Sequence, residues 1–356
     1  MISLRFPQSR SPRSEVEMTT AVTVPVTPER IYQFAFGYAP PLILEAAIRH
    51  HVFDVLDKGP KKLGEIGAAT GASERGLAAI LNALVGMDFL AKDGQGSYSL
   101  TPESATFLVS TKPEFQGGLI RHTSEDLLPR WLNLNEVVAT GLPVAAVNQQ
   151  GAGSEFFEQF VSDIFPMSYH VAQELARHLE LSGADGPVRV LDLAAGSGVW
   201  GIALAQSSER VRVTAVDWPG VLPITRDTVE LFGLTDRFSF AEGDLFEAKF
   251  GSGHNVATLG HILHSEGIER SKALLKKSFA ALASGGTIVI AEFLVNAERT
   301  GPLNGLFFAV NMLVNTDRGD TFSFEEISDW LSEAGFIDAR TIHTHGPSPL
   351  ILATKP

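Results

Sequence analysis

Cysteine is absent from all 356 residues, so the chain can form neither a disulfide nor a thiolate metal site. Long apolar runs are missing too. None reaches the ~18 residues that a membrane-spanning helix needs. Positive charge is scarce: Lys and Arg number 28 against 41 Asp and Glu, a formal net charge of −13. Nucleic acids select basic faces, so this balance argues against such a partner. Residues 1–17 lack the apolar core, ~7–15 residues long, of a signal peptide. We read 1–28 as a flexible tail, with Met18 an alternative start and the cytoplasm the default location. What remains has ordinary globular composition, 44% hydrophobic and 19% charged, and enough length for two domains.

Residues 30–57 read as helical. Ile31, Phe34, Leu42, Leu44, Ala47 and Ile48 form the apolar stripe, and Pro40-Pro41 breaks it or starts its second half. A short helix is expected around Leu63–Ala69 and a turn at Thr70-Gly71. Ser73 is placed to N-cap a second helix, Glu74–Val85. Phe89-Leu90-Ala91 and Ser97–Leu100 predict short strands around an Asp93-Gly94 turn. Helix, turn, helix and hairpin make a winged helix over 29–110. Its would-be recognition helix has one arginine and no lysine, too few cations to read DNA. An apolar helix there fits burial against a second copy of the chain. Residues 111–180 read as linking helices, with a surface loop at Gln149–Gly153.

From 181 onward, strand and helix patterns alternate. Strands are expected at Val188–Leu193, Arg212–Val216, Phe238–Ala241, Asn255–Leu259, Thr287–Phe293, Ala339–Thr344 and Leu350–Thr354. Helices fall near Gly198–Ala205, Val221–Phe232, Glu269–Leu282 and Ser323–Ala334. That alternation predicts a mostly parallel, Rossmann-like α/β sheet with helices on both faces.

The most informative stretch is Val188–Gly201, VRVLDLAAGSGVWG. A strand meets a small-residue loop, Ala194–Gly198, and then a helix whose N-terminus faces the loop. Backbone N–H groups can approach a ligand closely there, because glycine has no Cβ in the way. Gly196, Gly198 and Gly201 spell G-x-G-x-x-G, and Asp217 ends the next strand. That spacing also matches a dinucleotide fingerprint, whose carboxylate holds a ribose. Asp192, however, would set a negative charge near a pyrophosphate. A second acidic signal, Gly243-Asp244-Leu245-Phe246, follows the third strand. There a carboxylate could take an adenine amine while Leu245 or Phe246 packs on the ring.

Together these segments resemble the class I S-adenosylmethionine (SAM)-dependent methyltransferases. Within them the chain is similar to small-molecule O-methyltransferases that carry an N-terminal winged-helix dimerisation domain. The resemblance rests on VLDLAAGSG (190–198), AVDWPGVL (215–222), EGDLFE (242–247), LGHILHSEG (259–267), LASGGTIVIAEFLV (282–295) and FSFEEISDWLSEAGF (322–336). It implies a homodimer, SAM as cofactor and S-adenosylhomocysteine (SAH) as product. The glycine loop (Gly196, Gly198) would meet the methionine portion, with the Asp192 carboxylate near the loop compatible with its ammonium. Asp217 would meet the ribose and Asp244 the adenine, and Trp218, Leu245 and Phe246 are expected beside the cofactor.

His264 lies just past the fourth strand, at the sheet edge where such folds bind ligands. A histidine there suits a general base for a hydroxyl nucleophile. The family has a catalytic histidine at this place, followed by Asp-Trp; here Ser265-Glu266 follow. The resemblance also implies Glu292 as the acid that orients the base. A second acid that plant members hold before the last helix is replaced by Thr321, beside Asp320. His122, Phe160, Phe165, Met167, His261, Phe307, Phe308, Asn311 and Met312 are expected to wall an apolar acceptor pocket. His261 and His264 form no cluster that argues for a metal. Three other readings stay open: a SAM-retaining enzyme of this fold running hydroxylation, decarboxylation or cyclisation; a winged-helix regulator sensing a small molecule; and a nicotinamide oxidoreductase.

Overall fold

A computed structural model of the chain describes residues 26–147, 157, 160–183 and 186–356. The loop expected at Gln149–Gly153 and most of the expected tail lie outside them. Backbone contacts divide the chain into two compact units, Met1–Pro40 and Pro41–Pro356. In the first, the helix Glu29–Ala35 leaves Ile31, Tyr32 and Phe34 exposed.

The segment expected as one interrupted helix is three: Glu29–Ala35, Ala39–Arg49 and Val52–Leu56. Pro40-Pro41 sit in the first turn of Ala39–Arg49, where a missing N–H removes no intrahelical bond, so they open a helix rather than break one. Next come β1 (Lys61–Lys62), the helices Leu63–Thr70 and Glu74–Gly86, then β2 (Leu90–Lys92) and β3 (Ser97–Leu100). The three strands pair antiparallel in the order β1-β3-β2. Ser73 Oγ accepts from Gly76 N at 3.2 Å, starting Glu74–Gly86. That helix buries Leu77, Leu81 and Leu84, one stripe at helical spacing, against Phe53, Leu56 and Ile66.

A seven-stranded sheet fills the C-terminal part. Its strands are β4 (Val188–Leu193), β5 (Val211–Asp217), β6 (Phe238–Glu242), β7 (His254–Gly260), β8 (Leu282–Ala291), β9 (Ile337–Ile342) and β10 (Leu350–Thr354). The order is β6-β5-β4-β7-β8-β10-β9, with β10 antiparallel to β8 and β9 and every other neighbour parallel. Strand alternation sends Leu191 and Leu193 to one face and Val190 to the other. The first face packs on the helices Leu263–Ala281 and Phe324–Ala334. The second packs on Phe165–Leu179 and Val199–Ser207. Chain order reverses at β4, so the crevice beyond the carboxyl ends of β4, β5 and β7 is the topological switch point where such sheets take ligands.

The helix expected at Glu269–Leu282 is present and ends at Ala281. Ahead of it, across a non-helical break at Gly267, a helical turn starts at Leu263. His264, just past β7, stands in that turn.

Candidate active site

The glycine turn is anchored from below. Asp192 is fully buried; its Oδ2 accepts from Gly201 N at 2.9 Å and its Oδ1 from Thr258 Oγ1 at 2.6 Å. Burial pushes this carboxyl up to about 7, against those two bonds. Asp217, at the end of β5, accepts from Gly196 N and from Trp218 N, both at 2.7 Å. Burial raises it to about 6. Both carboxylates tie the turn to the sheet.

Above them a cavity opens. Gly196, Ser197, Asp217, Trp218, Asp244 and Leu245 line one end. Asp244 Oδ1 accepts from Phe246 N at 2.9 Å, and its Oδ2 stands 3.5 Å from Arg270. The fit to a nucleoside is a matter of donor chemistry. Asp217 is a half-buried carboxylate on the cavity wall, raised by desolvation, and a ribose diol supplies O–H donors to it. Trp218 and Leu245 offer apolar walls for a base.

The same cavity continues to His122, Phe160, Met167, Phe308, Asn311 and Met312. His264 and His261 line it too. Glu292, just past β8 and 2% exposed, holds His264 by three contacts. Its Oε1 accepts from the backbone N–H of Leu263 at 2.7 Å and of His264 at 3.3 Å; its Oε2 lies 2.7 Å from His264 Nδ1. The carboxylate thus caps the helix N-terminus and orients the ring together. Burial by itself would raise Glu292, but the facing His264 and the backbone donor hold it below its ordinary value. With Nδ1–H given to Glu292, Nε2 keeps the basic lone pair. The possible second acid turns away: Asp320 accepts from its neighbour Thr321 N at 2.7 Å and lies 3.5 Å from Arg299.

Several expected site residues stand elsewhere. Phe165 and Phe307 do not line the cavity. Phe165 stacks on Tyr169 and Phe232, with ring centroids 5.0 and 5.5 Å apart, and Phe307 is exposed. Phe246 lies beneath Arg270, 3.9 Å from guanidinium to ring, outside the lining. Asp192 and Gly198 sit behind the turn, not on the cavity wall. Trp200, Phe293 and Glu266 line the cavity without having been singled out. Phe293 had a signal, being the residue after Glu292, and Trp200 stands inside the glycine motif, just before Gly201.

Trp200 packs flush on the end of β7. A Cβ added at Gly260 would sit 1.9 Å from its Nε1. Gly260→Ala is therefore expected to displace the indole from the cavity wall. A shifted tryptophan emission and weaker SAH binding would report it.

A mostly parallel sheet of this order, with a glycine turn after β4, an acid ending β5 and another past β6, defines a SAM-dependent methyltransferase. More narrowly, the chain belongs to the O-methyltransferase family: residues 138–337 match its O-methyltransferase domain and residues 32–110 its dimerisation domain. The 3-hydroxy-5-methyl-1-naphthoate 3-O-methyltransferase of Streptomyces sahachiroi is 30% identical over 325 residues, 90% of this chain and 92% of that protein. The tetracenomycin polyketide synthesis 8-O-methyl transferase of Streptomyces glaucescens is 29% identical over 335 residues, 92% and 97% of the two chains. Human N-acetylserotonin methyltransferase, solved in complex with SAM, shares the fold with a TM-score of 0.78 at 23% identity, over 94% of this chain and 99% of that one. These matches do not favour the reading in which the cofactor is kept for chemistry other than methyl transfer. Among the described residues no helix is long and apolar enough to cross a membrane.

Proposed function

We propose that this chain works as a homodimer and methylates a hydroxyl on a fused-ring aromatic acceptor, with His264 as general base. The observation that carries this reading is the 2.7 Å contact of His264 Nδ1 with buried Glu292, set in the wall of a largely apolar cavity. The relatives named for a hydroxynaphthoate and a polyketide support an acceptor of that class, and Phe160, Phe293 and Phe308 offer flat apolar faces to it. The dimerisation domain supports the dimer.

Gly196 would meet the methionine portion of SAM, Asp217 the ribose, and Trp218, Asp244 and Leu245 the adenine. Bound SAM supplies an electrophilic methyl carbon on a cationic sulfur. His264 accepts the acceptor's hydroxyl proton at Nε2 as the oxygen becomes nucleophilic. Glu292 compensates the positive charge that then forms on the ring. General base catalysis of this kind contributes ~10²–10⁴-fold. The apolar walls exclude water, which would otherwise compete as a proton partner.

The test is direct. Purified protein given SAM and 2-naphthol is expected to yield a product heavier by one methyl, with one SAH released per turnover. SAM binding without methylation of 2-naphthol or any other fused-ring phenol tried would remove this acceptor class.

A further inference from the structure

A second imidazole faces the cavity beside the base. His261 follows Gly260, the last residue of β7, with φ of 59°. That left-handed conformation favours Asn, Asp and His among residues with a Cβ. Its backbone N–H donates to Ala291 O at 2.9 Å, and its Nε2 lies 2.9 Å from Oγ of buried Ser348. Backbone and one ring nitrogen are thus committed to the sheet edge. The other nitrogen, Nδ1, has no hydrogen bond from the described residues and is not sealed off from the cavity. Phe293 packs 5.1 Å away and His264 6.4 Å away, centroid to centroid. Burial holds the His261 pKa down at about 4, despite the pull of Glu292, so the ring is neutral at neutral pH. It is no second base. It is a fixed, uncharged hydrogen-bonding group one ring away from where the reacting oxygen must sit.

We propose that His261 is a specificity-determining residue that hydrogen-bonds a second oxygen of the acceptor, next to the hydroxyl that His264 deprotonates. Hydrogen bonds of ~2.8 Å from each imidazole, with centroids 6.4 Å apart, place the two oxygens on neighbouring or peri positions of one aromatic system. The inference rests on the aromatic-acceptor reading above. Either neutral tautomer serves, because Ser348 Oγ can donate to Nε2 or accept from it. The second oxygen then accepts from Nδ1–H or donates to Nδ1.

The experiment compares kcat/KM for 2,3-dihydroxynaphthalene and 2-naphthol in the wild type, His261→Leu, His261→Asn and Ser348→Ala, with SAH affinity measured alongside. The wild type is expected to prefer the diol about tenfold, the scale of one well-placed hydrogen bond in a buried site. His261→Leu should lose that preference, its kcat/KM falling about tenfold further for the diol than for 2-naphthol. His261→Asn tolerates the left-handed backbone and keeps a polar group near the Nδ1 position, so it should retain part of the preference. Ser348→Ala, which unpins the ring, should fall between. His261→Asn and Ser348→Ala decide the matter if the leucine variant does not fold. A wild type without the preference, variants with an unchanged ratio, or equal loss on both probes overturns the proposal and leaves the acceptor reading standing. No turnover of either probe with SAH still bound overturns both.

Discussion

His264→Ala is expected to lower kcat by about 10²–10⁴-fold, the usual contribution of a positioned general base, while SAH binding stays near the wild-type level. The split follows from geometry. His264 lines the cavity but is not among the residues assigned to the nucleoside, Gly196, Asp217 and Asp244. The residue is 8% exposed, and its Nδ1 is occupied by Glu292 at 2.7 Å. Removing the ring leaves the acceptor's proton without a nearby taker. It also leaves Glu292 bonded to the Leu263 and His264 backbone, so the helix start survives. Raising the pH should restore part of the lost rate, because a phenol ionised in solution needs no base. Unchanged kcat across pH 6–9 would mean that the imidazole does not carry the proton.

Asp217→Asn is expected to weaken SAM and SAH binding tenfold or more and yet leave the ligand-free protein at least as stable as wild type at pH 7.5. Hydrogen bonds to a charged partner are worth roughly 1.5–3 kcal/mol each, and the amide weakens them. Burial, by contrast, penalises the carboxylate in the empty protein, pushing it up to about 6. The sign of the pH dependence follows. Asp217 at about 6 and Asp192 at about 7 hold protons that the unfolded chain releases near 3.8. Their contribution to stability is fully present below ~3.8 and lost as pH rises through 6 to 7. His261 works the other way: its folded value of about 4 lies below 6.5, so its contribution is present above 6.5 and lost as pH falls through about 4. The asparagine variant should therefore lose less stability than wild type between pH 5 and pH 7.5. Thermal melts across that range check the stability, and titration calorimetry checks the affinity. Undiminished SAH affinity would detach Asp217 from the nucleoside.

The sheet was legible because its signals are local. β4 and β10 fall on the expected residues, since each is a short, largely apolar run. The acids at 217 and 244 announce themselves by following strands. The start of the helix at Leu263 was hidden, because Gly267 breaks the pattern and the cap comes from Glu292, remote in sequence. Phe307 and Phe308 differ by one residue, yet a helix turns by ~100° over that step. Apolarity all round Leu303–Asn315 could not say which of the two faces the cavity. Phe165 was lost the same way: its partners are Tyr169, one turn on, and Phe232, remote in sequence. Nor could spacing reveal that Ser348, on a distant loop, pins His261.

Glu292 gives this site an indivisible joint. One carboxylate secures both the proton acceptor and the helical turn that carries it, ahead of the break at Gly267. Redesign of the acceptor walls at Phe308 or Met312 leaves that joint untouched, whereas relocating the base means rebuilding a secondary-structure boundary at the same stroke.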